Sequence, residues 1–201
     1  MNKKEIILIA TLELASENGL GNISLSQIAK RVGIQKASLY SHFSSKEEII
    51  ESLYEYLRKT AKNTYAIQPI DYEKLLDGQD AYKILYNAVT DYMKITADKD
   101  MNMFYRFVIS ERLFSKEIAK IMITETEKMV STTKQIFYAM QVHQLLCFPD
   151  VDMAAISFAM TIHSLINYQY DKLFAEDIDI KYLIEEYIAQ FFKMYKVEKK
   201  L

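Results

Sequence analysis

Lys36, Ser38, Tyr40, Ser41 and His42 lie within seven consecutive residues and offer one cation, an imidazole and several hydroxyls, with no carboxylate among them. Such a set donates to anionic oxygens and to base edges, where an acidic side chain would be repelled. The chemistry it points to is binding to duplex DNA. Tyr40 and His42, aromatic bodies with polar tips, suit phosphate contacts, while Leu39 and Phe43 read as packing residues. Lys46, a few residues on, falls in the first turn of the next predicted helix, where backbone amides already favour an anion.

These groups need a rigid frame, and the flanking residues supply one. Ser24-Leu25-Ser26-Gln27 is a capping box, with Ile23 and Ile28 at the hydrophobic-staple positions. The short helix that follows stops at Gly33, a residue suited to a left-handed cap. The spacing of Leu39, Tyr40 and Phe43 predicts a second short helix over 35–43, and Ser45-Lys46-Glu47-Glu48 reads as the capping box of a third. Two short helices joined at a single glycine form a helix-turn-helix. Ala29, four residues before the glycine, lets the helix backbones approach, and Leu39, six after it, plugs the angle. Residues 1–46 carry six Lys/Arg against three Asp/Glu, while the rest of the chain carries 19 against 24. The positive charge is therefore concentrated where a DNA contact needs it.

Ile28-Ala29-Lys30-Arg31-Val32-Gly33-Ile34, then Leu39-Tyr40-Ser41-His42-Phe43, then Ser45-Lys46-Glu47-Glu48, resembles the DNA-binding domain of the TetR family of transcriptional regulators over about residues 3–57. The resemblance implies an N-terminal three-helix domain on a variable helical domain that dimerises through a four-helix bundle and often holds a small-molecule inducer. It departs at Gln35, where the family usually places Ser or Thr as the helix cap. The candidate DNA contacts are Ser24, Ser26, Gln35, Lys36, Ala37, Ser38, Tyr40, His42 and Lys46. The expected division is 1–46 for DNA binding, with a fourth helix to about 66, and 47–201 for ligand binding and dimerisation. A homodimeric regulator, most often a repressor in this family, would bind a palindromic operator and be released by an effector. A DNA-bound adaptor that recruits a protein and takes no inducer is the alternative.

The remaining 155 residues are read from pattern alone. Residues 79–148 and 150–201 contain neither glycine nor any proline, which predicts long helices and an all-α chain of about nine. Pro69 and Gly78 bracket a loop or short helix. The segment from Asp152 to about Phe174 is apolar around most of its circumference, which predicts a helix buried on more than one side. From Ile180 to Tyr195 the apolar residues keep to one broad face, with Lys181, Glu185, Glu186, Gln190 and Lys193 opposite. These last two helices are the expected homodimer surface.

Ten Met, ten Phe and fifteen Tyr could line a plastic apolar pocket for a small apolar or aromatic effector, with Phe104, Phe107, Tyr138 and His163 as candidate contacts. The competing reading of those four is ordinary core. His143 and Cys147, four apart, would share a helix face, but no metal-binding motif accompanies them, so a buried thiol and a hydrogen-bonded imidazole are expected and no metal or cofactor. Glycine-rich phosphate loops and nucleophile–base motifs are missing, which argues against an enzyme. Charged residues interrupt every apolar run and the N-terminus is polar, so a cytoplasmic protein without signal peptide or membrane helix is expected.

Overall fold

The computed structural model describes residues 2–64, 76, 78 and 80–197. Among them the chain forms nine α-helices: α1 (Lys3–Asn18), α2 (Leu25–Val32), α3 (Lys36–Leu39), α4 (Lys46–Thr64), α5 (Ala81–Ala97), α6 (Lys99–Glu111), α7 (Lys116–Val142), α8 (Val151–Glu176) and α9 (Lys181–Tyr195). A 3₁₀ turn over Leu20–Asn22 precedes α2. The fold is all-α, as the spacing of glycine and proline predicts. The segment expected between Pro69 and Gly78 lies outside the described residues apart from Leu76, which is buried. No helix among the described residues is long and apolar enough to cross a membrane.

The chain divides into two compact units, the first comprising Met1–Ile67 with Thr96–Thr124, the second Gln68–Ile95 with Glu125–Leu201. In the first, α1 packs against α2, α4 and α6. Its core joins Ile7, Leu12, Ile28, Leu39, Phe43, Ile49 and Leu53 to Phe104, Phe107, Val108 and Ile118 from much later in the chain. Thr11, wholly buried on α1, satisfies its hydroxyl on the Ile7 carbonyl at 2.7 Å.

The second unit is built around aromatic rings. Phe191 of α9 lies 4.7 Å from Phe158, 4.8 Å from Tyr195 and 5.5 Å from Phe137, centroid to centroid. Phe137 in turn stacks on Phe148 at 4.8 Å. The predicted apolar face of α9 faces inward, with Ile184, Ile188 and Phe191 buried and the five polar residues opposite exposed. Buried Gln169 joins α8 to α9, donating to Asp179 Oδ1 at 3.1 Å and accepting the Ile180 amide.

Helix α8 differs from its expected burial on several sides. Ala154, Ala155, Phe158, Ile162 and Ile166 are inside, but Met153, Ser157, Met160, Ser164 and Tyr168 form an exposed stripe opposite.

His143 and Cys147 also depart from expectation. Helix α7 ends at Val142, and Gln144 takes a left-handed φ of 55°, with Leu145 N–H returning to the Met140 carbonyl at 2.9 Å. The two residues therefore share no helix face, and both are exposed. This corrects the expected buried thiol. The Cys147 amide is tied to the Tyr195 carbonyl at 2.8 Å, so main-chain bonding holds the segment while the side chain stays outside.

Candidate nucleic-acid interface

The first helix of the pair is fixed by local chemistry at both ends. Ser24 caps α2, accepting the Gln27 amide at 3.3 Å, while Gln27 Oε1 accepts the Ser24 amide at 2.8 Å. Gly33 has φ 73° and ψ 33°, and the amides of Gly33 and Ile34 return to the carbonyls of Lys30 and Ala29. That pair of bonds closes the helix and turns the chain, and only glycine enters the left-handed region there without strain. Ala29 is buried beside the turn and Leu39 is fully enclosed, as their spacing from Gly33 predicts.

The second helix is shorter than expected. α3 covers only Lys36–Leu39, and the chain continues in turns to Phe43. The Ser41 hydroxyl donates to the Ser38 carbonyl at 2.7 Å, the oxygen that His42 N–H would reach in an α-helix. The His42 amide goes to Leu39 instead, three residues back, at 3.0 Å. Gln35 stands at the cap with no side-chain bond to the helix, as its departure from the Ser/Thr pattern implies.

This local geometry sorts the candidate residues cleanly. Gln35, Lys36, Ala37, Ser38 and Tyr40 are exposed, Leu39 and Phe43 are buried, and His42 is half-buried. Ser24 and Ser26 are exposed on α2. The face presented to solvent is polar and free of carboxylates from Gln35 to His42. Lys46 also braces the protein internally. Its Nζ donates to the Leu20 carbonyl at 3.2 Å, while Leu20 N–H donates to Glu111 Oε1 at 3.2 Å. The turn before α2 is thus held from α4 and α6 together. An ammonium has three donors, so two remain on Lys46.

The cap of α4 is arranged differently from the box expected at Ser45. The Ser45 hydroxyl accepts the Glu48 amide at 3.1 Å, but the Glu48 carboxylate takes the amide and hydroxyl of Ser44, each at 2.6 Å. Those bonds, the hydroxyl's first, hold the Glu48 carboxyl below the usual range, with Lys4 adding a smaller effect. Arg31 bridges Glu13 at 3.0 Å and Glu17 at 2.8 Å, tying α2 to α1 and lowering the Glu17 carboxyl.

Known proteins resemble this chain in both sequence and fold. The profile of "Bacterial regulatory proteins, tetR family" matches residues 7–53. The biofilm operon icaADBC HTH-type negative transcriptional regulator IcaR of Staphylococcus aureus is 30% identical over 146 residues, covering 67% of this chain and 75% of that protein. The chain belongs to the TetR family. Two solved structures show the TetR-like fold along its length. A transcriptional regulator from Saccharomonospora viridis in complex with choline has a TM-score of 0.68 at 18% identity, over 98% of each chain. NalD, the secondary repressor of the MexAB-OprM multidrug efflux pump in Pseudomonas aeruginosa, has a TM-score of 0.61 at 19% identity, again over 98% of each chain. A TetR-family chain is a transcriptional regulator.

In this TetR-family regulator the four candidate effector contacts divide between the two units. Phe104 and Phe107 are buried in the core of the first unit, Phe107 with its ring 6.2 Å from that of Tyr54. Tyr138 and His163 belong to the second. Tyr138 is exposed and donates to Asp152 Oδ1 at 3.2 Å, and that carboxylate holds its phenol above the usual range. His163 is half-buried, with Nδ1 3.2 Å from the Tyr92 hydroxyl. Two residues that the motif did not single out also border the site. Glu111 anchors Leu20, and Lys4 places its ammonium 5.2 Å from the Phe43 ring centroid. A spacing of three and four residues from Lys4 to buried Ile7 and Leu8 is the signal that sets it on the rim of the core.

Proposed function

We propose that the protein is a homodimeric repressor that binds a pseudo-palindromic operator in double-stranded DNA and leaves it when a small apolar or aromatic effector binds. The observation that carries the reading is the carboxylate-free exposed face of Gln35, Lys36, Ser38 and Tyr40, mounted on buried Leu39 and Phe43. In this reading 1–46 meets DNA, and 47–201 carries dimerisation and effector binding. Lys36 and Ser38 reach base edges or phosphates, and Tyr40, His42 and the two remaining donors of Lys46 hold phosphates.

Dimerisation through α8 and α9 is supported by their uncovered apolar side chains, among them Met153, Met160, Tyr168, Tyr182 and Phe174, the last 89% exposed. Two copies packed as a four-helix bundle bury that stripe and relate the recognition helices by a two-fold axis. Half-sites about 34–36 Å apart match such a pair. The effector acts by preferring one dimer arrangement over the other. His163 with Tyr92 is the polar pair best placed to orient it within the second unit. The choline complex of the Saccharomonospora viridis regulator lends the effector reading support at the level of the shared fold.

One feature favours the adaptor reading instead. Leu113 and Phe114, between α6 and α7, are 81% and 86% exposed, a pair of side chains suited to a protein partner. DNA selection followed by effector challenge separates the two. The full chain selects a duplex from a randomised pool, and its affinity is measured with Lys36→Ala and Tyr40→Ala. A palindromic selected sequence and a salt slope shallower by about one for a phosphate-binding lysine are expected. Release of that duplex by a small apolar or aromatic compound from a broad panel, abolished in His163→Ala, supports the regulator. Release by none of a broad panel supports the adaptor, and no binding to any duplex at low salt overturns both.

A further inference from the structure

Only part of the positive charge in the first 46 residues is without a partner in the protein. Arg31 is clamped between Glu13 and Glu17, and one donor of Lys46 is held by Leu20. Lys30 and Lys36 are exposed on the helix-turn-helix. The other two cations, Lys3 and Lys4, open α1 and are exposed as well.

Their position is set by packing. Lys4 precedes buried Ile7 and Leu8 by three and four residues, so its stem runs along the rim of the core. Its ammonium stands over Phe43, the residue that closes the recognition segment and immediately follows His42. The nearby carboxylates are engaged elsewhere: Glu5 accepts the Asn2 amide at 3.0 Å, and Glu48 accepts the Ser44 amide and hydroxyl. Lys3 makes no ion pair among the described residues. Lys4 thus stands beside the end of the recognition segment, acting on Glu48 only at a distance, and Lys3 precedes it in the same first turn of α1; neither makes an ion pair among the described residues.

Resting on the reading that Tyr40 and His42 meet the DNA backbone, we propose that Lys3 and Lys4 bind the adjoining phosphates and extend the contact from the recognition segment to the start of α1. Their part is positioning: a phosphate contact fixes register on the duplex and carries no sequence information. The competing role is wholly internal, with Lys4 packing on Phe43 and offsetting Glu48 while Lys3 stays solvated.

Salt dependence distinguishes the two. With the duplex that the full chain selects from a randomised pool, the slope of log affinity against log salt is measured for the parent chain, Lys3→Gln, Lys4→Gln, the double variant and Lys94→Gln. Lys94, paired to Asp91 at 2.9 Å in the other unit, is the control. Each phosphate contact removed flattens the slope by about 0.9 and lowers affinity at 0.15 M salt by about fivefold. The double variant is expected to be shallower by at least one, Lys4→Arg and Lys94→Gln unchanged. A double variant that flattens the slope by less than one overturns the proposal. If Lys4→Gln melts early through loss of its Phe43 contact, Lys3→Gln alone decides, with a change under half a unit as the overturning result. A parent chain that binds no duplex at low salt sinks the DNA reading itself, an outcome distinct from a parent that binds with a slope indifferent to Lys3 and Lys4.

Discussion

Around Leu39 the interior of the first unit is mostly aliphatic, and the groups that fix its angles are short polar caps at helix ends: Ser24 with Gln27, Gly33 with Lys30 and Ala29, Ser44 with Glu48. Around Phe191 the second unit stacks phenyl and phenol rings drawn from α7, α8, α9 and the segment between α7 and α8. The caps of the first are set by neighbours in sequence, each spanning three to five residues. The second also draws on rings far apart in sequence, such as Phe137 with Phe191, 54 residues apart, and Phe158 with Phe191, 33 apart. A surface that must present a few donors at fixed angles gains from the first method.

The largest expected effect breaks the aromatic side. Phe191→Ala removes the ring that touches five others and should cost about 3–5 kcal/mol in denaturant unfolding, as for other buried Phe truncations. A loss below about 1 kcal/mol would show that the ring cluster is not what holds the second unit together. Leu39→Ala, the aliphatic counterpart, should cost about 2–5 kcal/mol and abolish duplex binding with it. Next in size is Gly33→Ala. No atom lies within 4 Å of the added Cβ, so the whole penalty, about 1–2 kcal/mol, is backbone strain at positive φ. Thermal melting beside Gly21→Ala, at a position also open but without positive φ, isolates it.

Caps come next and carry opposite signs. Ser24→Ala should lose about 1 kcal/mol, whereas Gln35→Ser, which supplies the cap that α3 lacks, should gain about 0.5–1 kcal/mol at some cost to any Gln35 contact with DNA. Equal melting temperatures for the two variants would contradict the cap account. The smallest effects are in pH dependence. Hydrogen bonds from Ser44 lower the Glu48 carboxyl, so its stabilisation is present above the ordinary 4.5 and lost as pH falls below it through the lowered value. Burial raises Glu125 in the second unit, so the folded state favours its protonated form and stability declines as pH rises from 4.5 through the raised value. Ser44→Ala should therefore flatten the acid limb, and Glu125→Gln should remove the decline above 4.5, in melts taken across pH 3–8.

Much of the helix-turn-helix was legible because its determinants are local. A capping box, a left-handed glycine and a leucine six residues later announce themselves by spacing, and Leu39 and Phe43 fall inside as that spacing requires. What escaped was competition at close range. The Ser41 hydroxyl bonds the Ser38 carbonyl where α3 ends, and Ser44 rather than Ser45 receives the Glu48 carboxylate, choices that depend on torsions and not on residue type. In the other half, helix boundaries and the inward face of α9 were legible from periodicity. The role of Phe104 and Phe107 was not, because an aromatic stripe has one period whether it lines a pocket or fills a core. That they fill the core around α1 is decided by the tertiary fold.

The borrowing of 96–124 by the first unit bears on how regulators of this kind could be recombined. Phe104, Phe107, Val108 and Ile118 sit in one interior with Ile7, Leu39 and Leu53, and Glu111 holds the turn before α2. A chimera that joins this chain's residues 1–67 to a foreign sensor would leave those apolar side chains facing water and Leu20 without its acceptor. A graft intended to move the operator preference must carry α6 and the start of α7 along, or rebuild a matching apolar surface in the recipient.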